Sequence, residues 1–159
     1  MVGSSGVTYQ GYFSDQTGTF LGHALQSANA AKSLDEQRFG IARNMLLGQA
    51  TECALKAWLY AKMLDQGKSQ QTVITALSKK PLGHDLKGLW DASVAYTLQL
   101  SNEKPLWFET LVLMHGYPYR IRYPQGGATV FPAPSDDVCD SVVNLVDFVG
   151  ASLGRKRSY

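Results

Sequence analysis

Apolar residues along the chain recur at spacings of three and four, in blocks separated by short polar or Gly/Pro-containing breaks. From Asp15 to Leu34 the repeat is carried by Phe20, Ala24, Leu25, Ala28, Ala31 and Leu34, which predicts an amphipathic helix. A longer block from Phe39 to Leu64 predicts the longest helix, stopped by Gly67. Ser69 reads as the cap of a short helix over "QQTVITAL", broken by Pro81 and Gly83. "HDLKGLWDASVAYTLQL" predicts a further helix with Leu86, Leu89, Trp90, Ser93, Tyr96 and Leu100 on one side. Another is expected from Glu103 to His115, with Pro105 in its first turn. The last opens on Ser135 as cap with Asp136 and Asp137 in the first turn, and its stripe is Val138, Val142, Leu145, Val149 and Leu153.

The segment "GYPYRIRYPQGGATVFPAP" breaks this rhythm, with four prolines and three glycines in nineteen residues, and so excludes a helix. It predicts a long extended loop, with a short strand pair at "YRIRY" and "ATVF". The expected architecture is therefore all-α: an antiparallel up-and-down four-helix bundle with extra short helices and one long Pro/Gly-rich loop. Residues 1–14 read as a flexible lead-in without a signal pattern, 15–154 as one bundle domain, and 155–159 as a basic tail.

The second helix carries the first hint of chemistry. Placed at about 100° per residue, Ile41, Met45, Leu59 and Met63 point one way, with Glu52 among them and Gln49 and Lys56 at the edge. The helix is apolar nearly all round, which makes it the central one and encloses its polar trio. Enclosed charges need partners, and Glu52 and Lys56 are spaced i, i+4 in the favourable order. Three readings stand: a polar network that fixes helix register, the floor of a small-ligand or catalytic pocket, or exposure on an unpacked face.

Composition narrows the field. The chain has 159 residues, enough for one cored domain, and a net charge of only +2, so any nucleic-acid-binding surface must be a local patch. Cys53 and Cys139 form no CxxC and sit in apolar helical contexts, as reduced thiols of a cytoplasmic protein would. No apolar run is long enough for a membrane span. Glycine-loop, HExxH and GxSxG patterns are absent, so no cofactor or metal is expected. Asp136, Asp137 and Asp140 could suggest a cation, but capping accounts for the first two.

"GQATECALKAWL", then "LGHDLKGLWDAS", then "RIRYP" resemble the HEPN (higher eukaryotes and prokaryotes nucleotide-binding) family, over Phe20 to Leu153. The resemblance implies an antiparallel four-helix core, a homodimer, and a setting beside a nucleotidyltransferase-type partner in toxin–antitoxin or defence systems. Many such proteins are metal-independent ribonucleases marked by an arginine followed, after four to six residues, by a histidine. No arginine stands at that spacing before His23, His84 or His115. Lys79 precedes His84, but Pro81 and Gly83 interrupt the interval, and the last helix has no histidine. A non-catalytic module binding nucleotide or RNA is therefore the expectation. The alternatives are a ribonuclease using His84 or His115, and a structural dimerisation domain.

The expected binding residues fall in two groups. Glu52, Lys56, His84 and Asp85 would form a pocket if the "GHDL" turn meets the second helix. Arg120, Arg122 and Tyr123 in "HGYPYRIRYP" interleave guanidinium and aromatic groups as a single-stranded nucleic acid requires. A loop laid over the bundle, with its aromatics packed, is the other reading of that segment.

Overall fold

The computed structural model describes residues 15–115 and 133–155. The expected strand pair, with Arg120, Arg122 and Tyr123, lies outside the described residues, as do the lead-in 1–14 and tail residues 156–159. Six helices are seen: α1 (Gln16–Ser33), α2 (Gly40–Asp65), α3 (Gln70–Ser78), α4 (Leu86–Ala95), α5 (Leu106–His115) and α6 (Asp136–Ser152). The described residues are all-helical, without strand.

Helix α2 is central, and each of the other five packs against it. Between Leu47 and Tyr60 its buried residues face every direction: Leu47, Ala50, Ala54, Leu55, Ala57, Trp58, Leu59 and Tyr60. Helix α1 lies along it with Leu21, Ala24, Leu25, Ala28 and Ala31 fully enclosed, the three alanines small enough to let two backbones approach. Directions follow from what meets at the helix ends. The Arg155 guanidinium beyond α6 pairs with the Asp15 carboxylate that caps α1, while Arg43 near the start of α2 reaches both the end of α1 and the start of α6. The His115 end of α5 sits beside Glu52. Helices α1, α2, α5 and α6 thus alternate in direction, the up-and-down bundle expected, and α3 and α4 are the extra pieces.

Local chemistry explains most boundaries. Asp15, Ser69 and Asp85 each accept a backbone N–H three residues on, closing the starts of α1, α3 and α4. Ser135 occupies the cap position of α6 but makes no side-chain cap bond, a correction to the expected cap; Asp136 and Asp137 still stand at the positive end of the helix. Helix α4 ends at Ala95, well short of Leu100. Thr97 adopts a left-handed conformation (φ 69°), which turns the chain and buries Leu98. Two indoles then take carbonyls beyond the helix: Trp58 Nε1–H donates to Tyr96 (3.2 Å) and Trp90 Nε1–H to Ser101 (3.0 Å). Helix α5 begins after Pro105 rather than at Glu103.

Arg43 is the buried cation that periodicity did not single out. It is 2% exposed. Its Nε donates to the Ala31 carbonyl (2.9 Å) and its two terminal nitrogens to Pro134 (2.8 Å) and Lys32 (3.2 Å), with a charge-assisted bond to Asp136. The guanidinium thereby binds carbonyls at the end of α1, where Ala31 also accepts the Leu34 N–H, and ties them to α6.

Candidate functional site

The stripe predicted on α2 divides in two. Leu59 and Met63 are buried, whereas Ile41, Met45 and Gln49 are exposed, so the enclosure expected for Gln49 does not hold. The other helices cover this face from about Glu52 onward. Ahead of that point it opens onto a cavity of about 460 Å³, walled on the apolar side by Met45, Leu46, Cys53 and Met114. Gln49, Glu52, His84 and His115 supply polar lining.

Glu52 is the centre of the site. It is 8% exposed and receives donors from three elements. Lys56 Nζ, one turn on along α2, donates to Oε1 at 2.7 Å. His115 Nε2, on the last residue of α5, lies 2.7 Å from Oε2. His84 Nδ1, in the turn before α4, bridges both oxygens at 3.2 Å. Because an ionised carboxylate only accepts, the ring nitrogens facing it carry their protons, which fixes both tautomers. Burial of Glu52 alone would raise its pKa. The bonds from His115 and Lys56, the Lys56 charge and the bond from His84 outweigh burial and hold the carboxyl at about 2.

The two imidazoles differ in exposure. The His115 side chain is 17% exposed and its ring lies against α2, where a Cβ on Gly48 would come within 2.5 Å of Nδ1. Glycine is what lets the ring dock there. The His84 side chain is 80% exposed, and with Nδ1 committed to Glu52 its Nε2 is the ring nitrogen left for a ligand. The rings sit 6.5 Å apart, edge to face. Both also line a second cavity of about 370 Å³ that includes Ser78, Lys80 and Asp85, so the imidazole pair forms a wall shared by two hollows.

Of the expected pocket residues, Glu52, Lys56 and His84 converge. Asp85 turns away to cap α4, its carboxylate accepting Gly88 N–H at 3.1 Å. His115, considered in the sequence as a lone proton-transfer candidate and as part of the loop, belongs instead to this cluster. Its interval of 63 residues from Glu52 leaves no spacing pattern to find. The only signal available was its place at the end of an apolar helix, where a titratable side chain is carried into the core. Cys53 is a free thiol in the cavity wall, pushed up to about 11 by burial and then by the Glu52 charge, so it stays protonated at neutral pH. No described helix is long and apolar enough to cross a membrane. Compared with known proteins, the chain matches no protein-family model, no curated protein and no solved structure.

Proposed function

We propose that this chain is a HEPN-like helical module that recognises a nucleotide or an RNA segment, with the Glu52–Lys56–His84–His115 cluster as its polar anchor. One observation supports the reading: the four side chains converge from α2, the turn before α4 and the end of α5, and the two imidazoles among them form the wall between two hollows. The larger hollow has the apolar wall and the Gln49 amide that a flat heterocycle requires, and the smaller presents Lys80 and Ser78 to an anionic group. Glu52 and Lys56 cancel in charge, so anion affinity comes from Lys80. A homodimer, or association with a nucleotidyltransferase-type partner in a toxin–antitoxin or defence setting, belongs to the same proposal and rests on the sequence resemblance.

Titration of mono- and dinucleotides and a short single-stranded RNA, followed by calorimetry, tests the reading. His84→Ala, at an exposed turn position, should weaken binding at least about tenfold, about 1.4 kcal/mol, with the fold intact. Binding that is absent up to millimolar ligand, or indifferent to His84→Ala, refutes it.

The paired imidazoles favour a second reading, metal-independent cleavage of a phosphodiester. His84 Nε2 would take the nucleophile's proton and return it to the leaving group, while His115 acts by holding the Glu52 carboxylate that positions His84. That reading requires RNA cleavage persisting in chelator, with a bell-shaped pH profile, and lost in both His84→Ala and His115→Ala. Clean protein that leaves RNA intact ends it.

A further inference from the structure

We infer that Glu52, His84 and His115 form a binding site for a divalent transition-metal ion of the zinc class, with one coordination position open to the larger cavity. One carboxylate oxygen and one ring nitrogen of each histidine all lie within 4.8 Å of one another, and the nitrogens that face Glu52 are His84 Nδ1 and His115 Nε2. Zinc holds imidazole nitrogen and carboxylate oxygen at about 2.0–2.1 Å, which places tetrahedral ligand atoms roughly 3.3 Å apart. His84 Nδ1 is already 3.2 Å from both Glu52 oxygens. His115 Nε2, at 2.7 Å from Oε2, would have to retreat by about half an ångström. His84 has the freedom to adjust to the ion, being 80% exposed on a turn.

The surroundings match what an orienting shell provides. Lys56 holds Oε1, so Oε2 is the oxygen presented to the ion, and Gly48 lets the His115 ring seat at a fixed angle against α2. Two nitrogens and one oxygen form a borderline-soft set that suits zinc, cobalt or nickel and ill suits calcium or magnesium. Three protein ligands leave a fourth place for water or a ligand group. The Glu52 charge is already balanced by Lys56, so an ion here would keep close to its full charge. It would favour an anionic fourth ligand such as hydroxide, carboxylate or phosphate. Loading moves the proton of each ring to the nitrogen turned away from Glu52, and acid competes with the ion for the imidazoles, so uptake weakens on acidification.

This inference goes beyond nucleotide recognition and is tested with the metal alone. Cobalt(II) titrated into the chelator-treated full chain near neutral pH should give visible absorption of a tetrahedral nitrogen–oxygen site, saturating at one equivalent. Zinc should abolish that absorption and raise the melting temperature by a few degrees, as expected for about 2 to 3 kcal/mol of linkage at a hundredfold excess over Kd. His84→Ala and His115→Ala should each weaken cobalt binding at least about tenfold. His84→Ala, at an exposed turn, should do so without changing the circular dichroism. Absence of cobalt binding at millimolar metal, or binding that survives both substitutions unchanged, overturns the inference.

Discussion

Glu52 and Lys56 together offer the most informative perturbation. At an effective dielectric constant near 20, unit charges at their 2.7 Å separation attract by about 6 kcal/mol. Removing two ions from water costs several kcal/mol each, so the intact pair contributes little net stability. Loss of one partner, however, leaves the other buried without its counter-charge. Glu52→Gln keeps an oxygen near Lys56 but deletes the charge, and about 3 kcal/mol of destabilisation is expected. In urea, with a slope near 2 kcal/mol per molar, the midpoint should fall by roughly 1.5 M.

Lys56→Met should cost less, about 1 to 2 kcal/mol, because His115 and His84 still hold the carboxylate. The double variant should cost less than the sum of the two, with coupling of at least about 1 kcal/mol. The pH dependence has a definite sign. Glu52 falls from an ordinary 4.5 to about 2 on folding, so its stabilisation is complete above about 4.5 and disappears as pH falls through the folded value. That drop is worth about 3 kcal/mol, and the stability gap between the parent and Glu52→Gln should close between pH 5 and pH 2. Denaturation curves for the four proteins at pH 7, 5 and 3 supply the measurement. Strict additivity, or a gap that widens on acidification, would show that the pair is not the enclosed, mutually dependent unit described.

Gly48→Ala should displace His115, since the new methyl would lie 2.5 Å from its Nδ1, and should destabilise by about 1 to 3 kcal/mol as an overpacked contact; a proton spectrum in which the His115 ring resonances stay where they are in the parent would count against that contact. Arg43→Met removes the donors to the Ala31 and Pro134 carbonyls and the bond to Asp136, and should cost about 3 kcal/mol in urea unfolding; a loss below about 1 kcal/mol would mean that water replaces the guanidinium without penalty.

Much of the bundle could be read from residue spacing because helical period and burial coincide over α1, the middle of α2 and α6. Val142, Leu145 and Val149 recur as expected and are buried together. Legibility failed where tertiary contacts override period. Leu100 continues the stripe of α4 arithmetically, yet Thr97 turns the chain first and Leu98 is buried in its place. Ile41 and Met45 match Leu59 and Met63 in angle, but no described helix closes over them.

At the site, Glu52 and Lys56 were legible because both partners lie on one helix, where spacing determines adjacency. His84 stood out as a residue beside a helix start, its meeting with α2 only conditional. The contribution of His115 depends on how far α5 slides along α2, a quantity set by Gly48 and by the packing of Phe108 and Leu111 rather than by any local pattern. Arg43 escaped notice because a cation near a helix start looks like a solvated residue until α6 covers it.

The placement of Glu52 and Lys56 on one helix also bears on the order in which the molecule can be built. Synthesis delivers α2 well before the turn at His84 and the end of α5. During that interval the carboxylate already has a neutralising neighbour one turn away, within a segment that can form without distant contacts. A half-made bundle of α1 and α2 can therefore collapse around this face without trapping a naked charge. The imidazoles, arriving later, settle onto an acceptor that is already positioned.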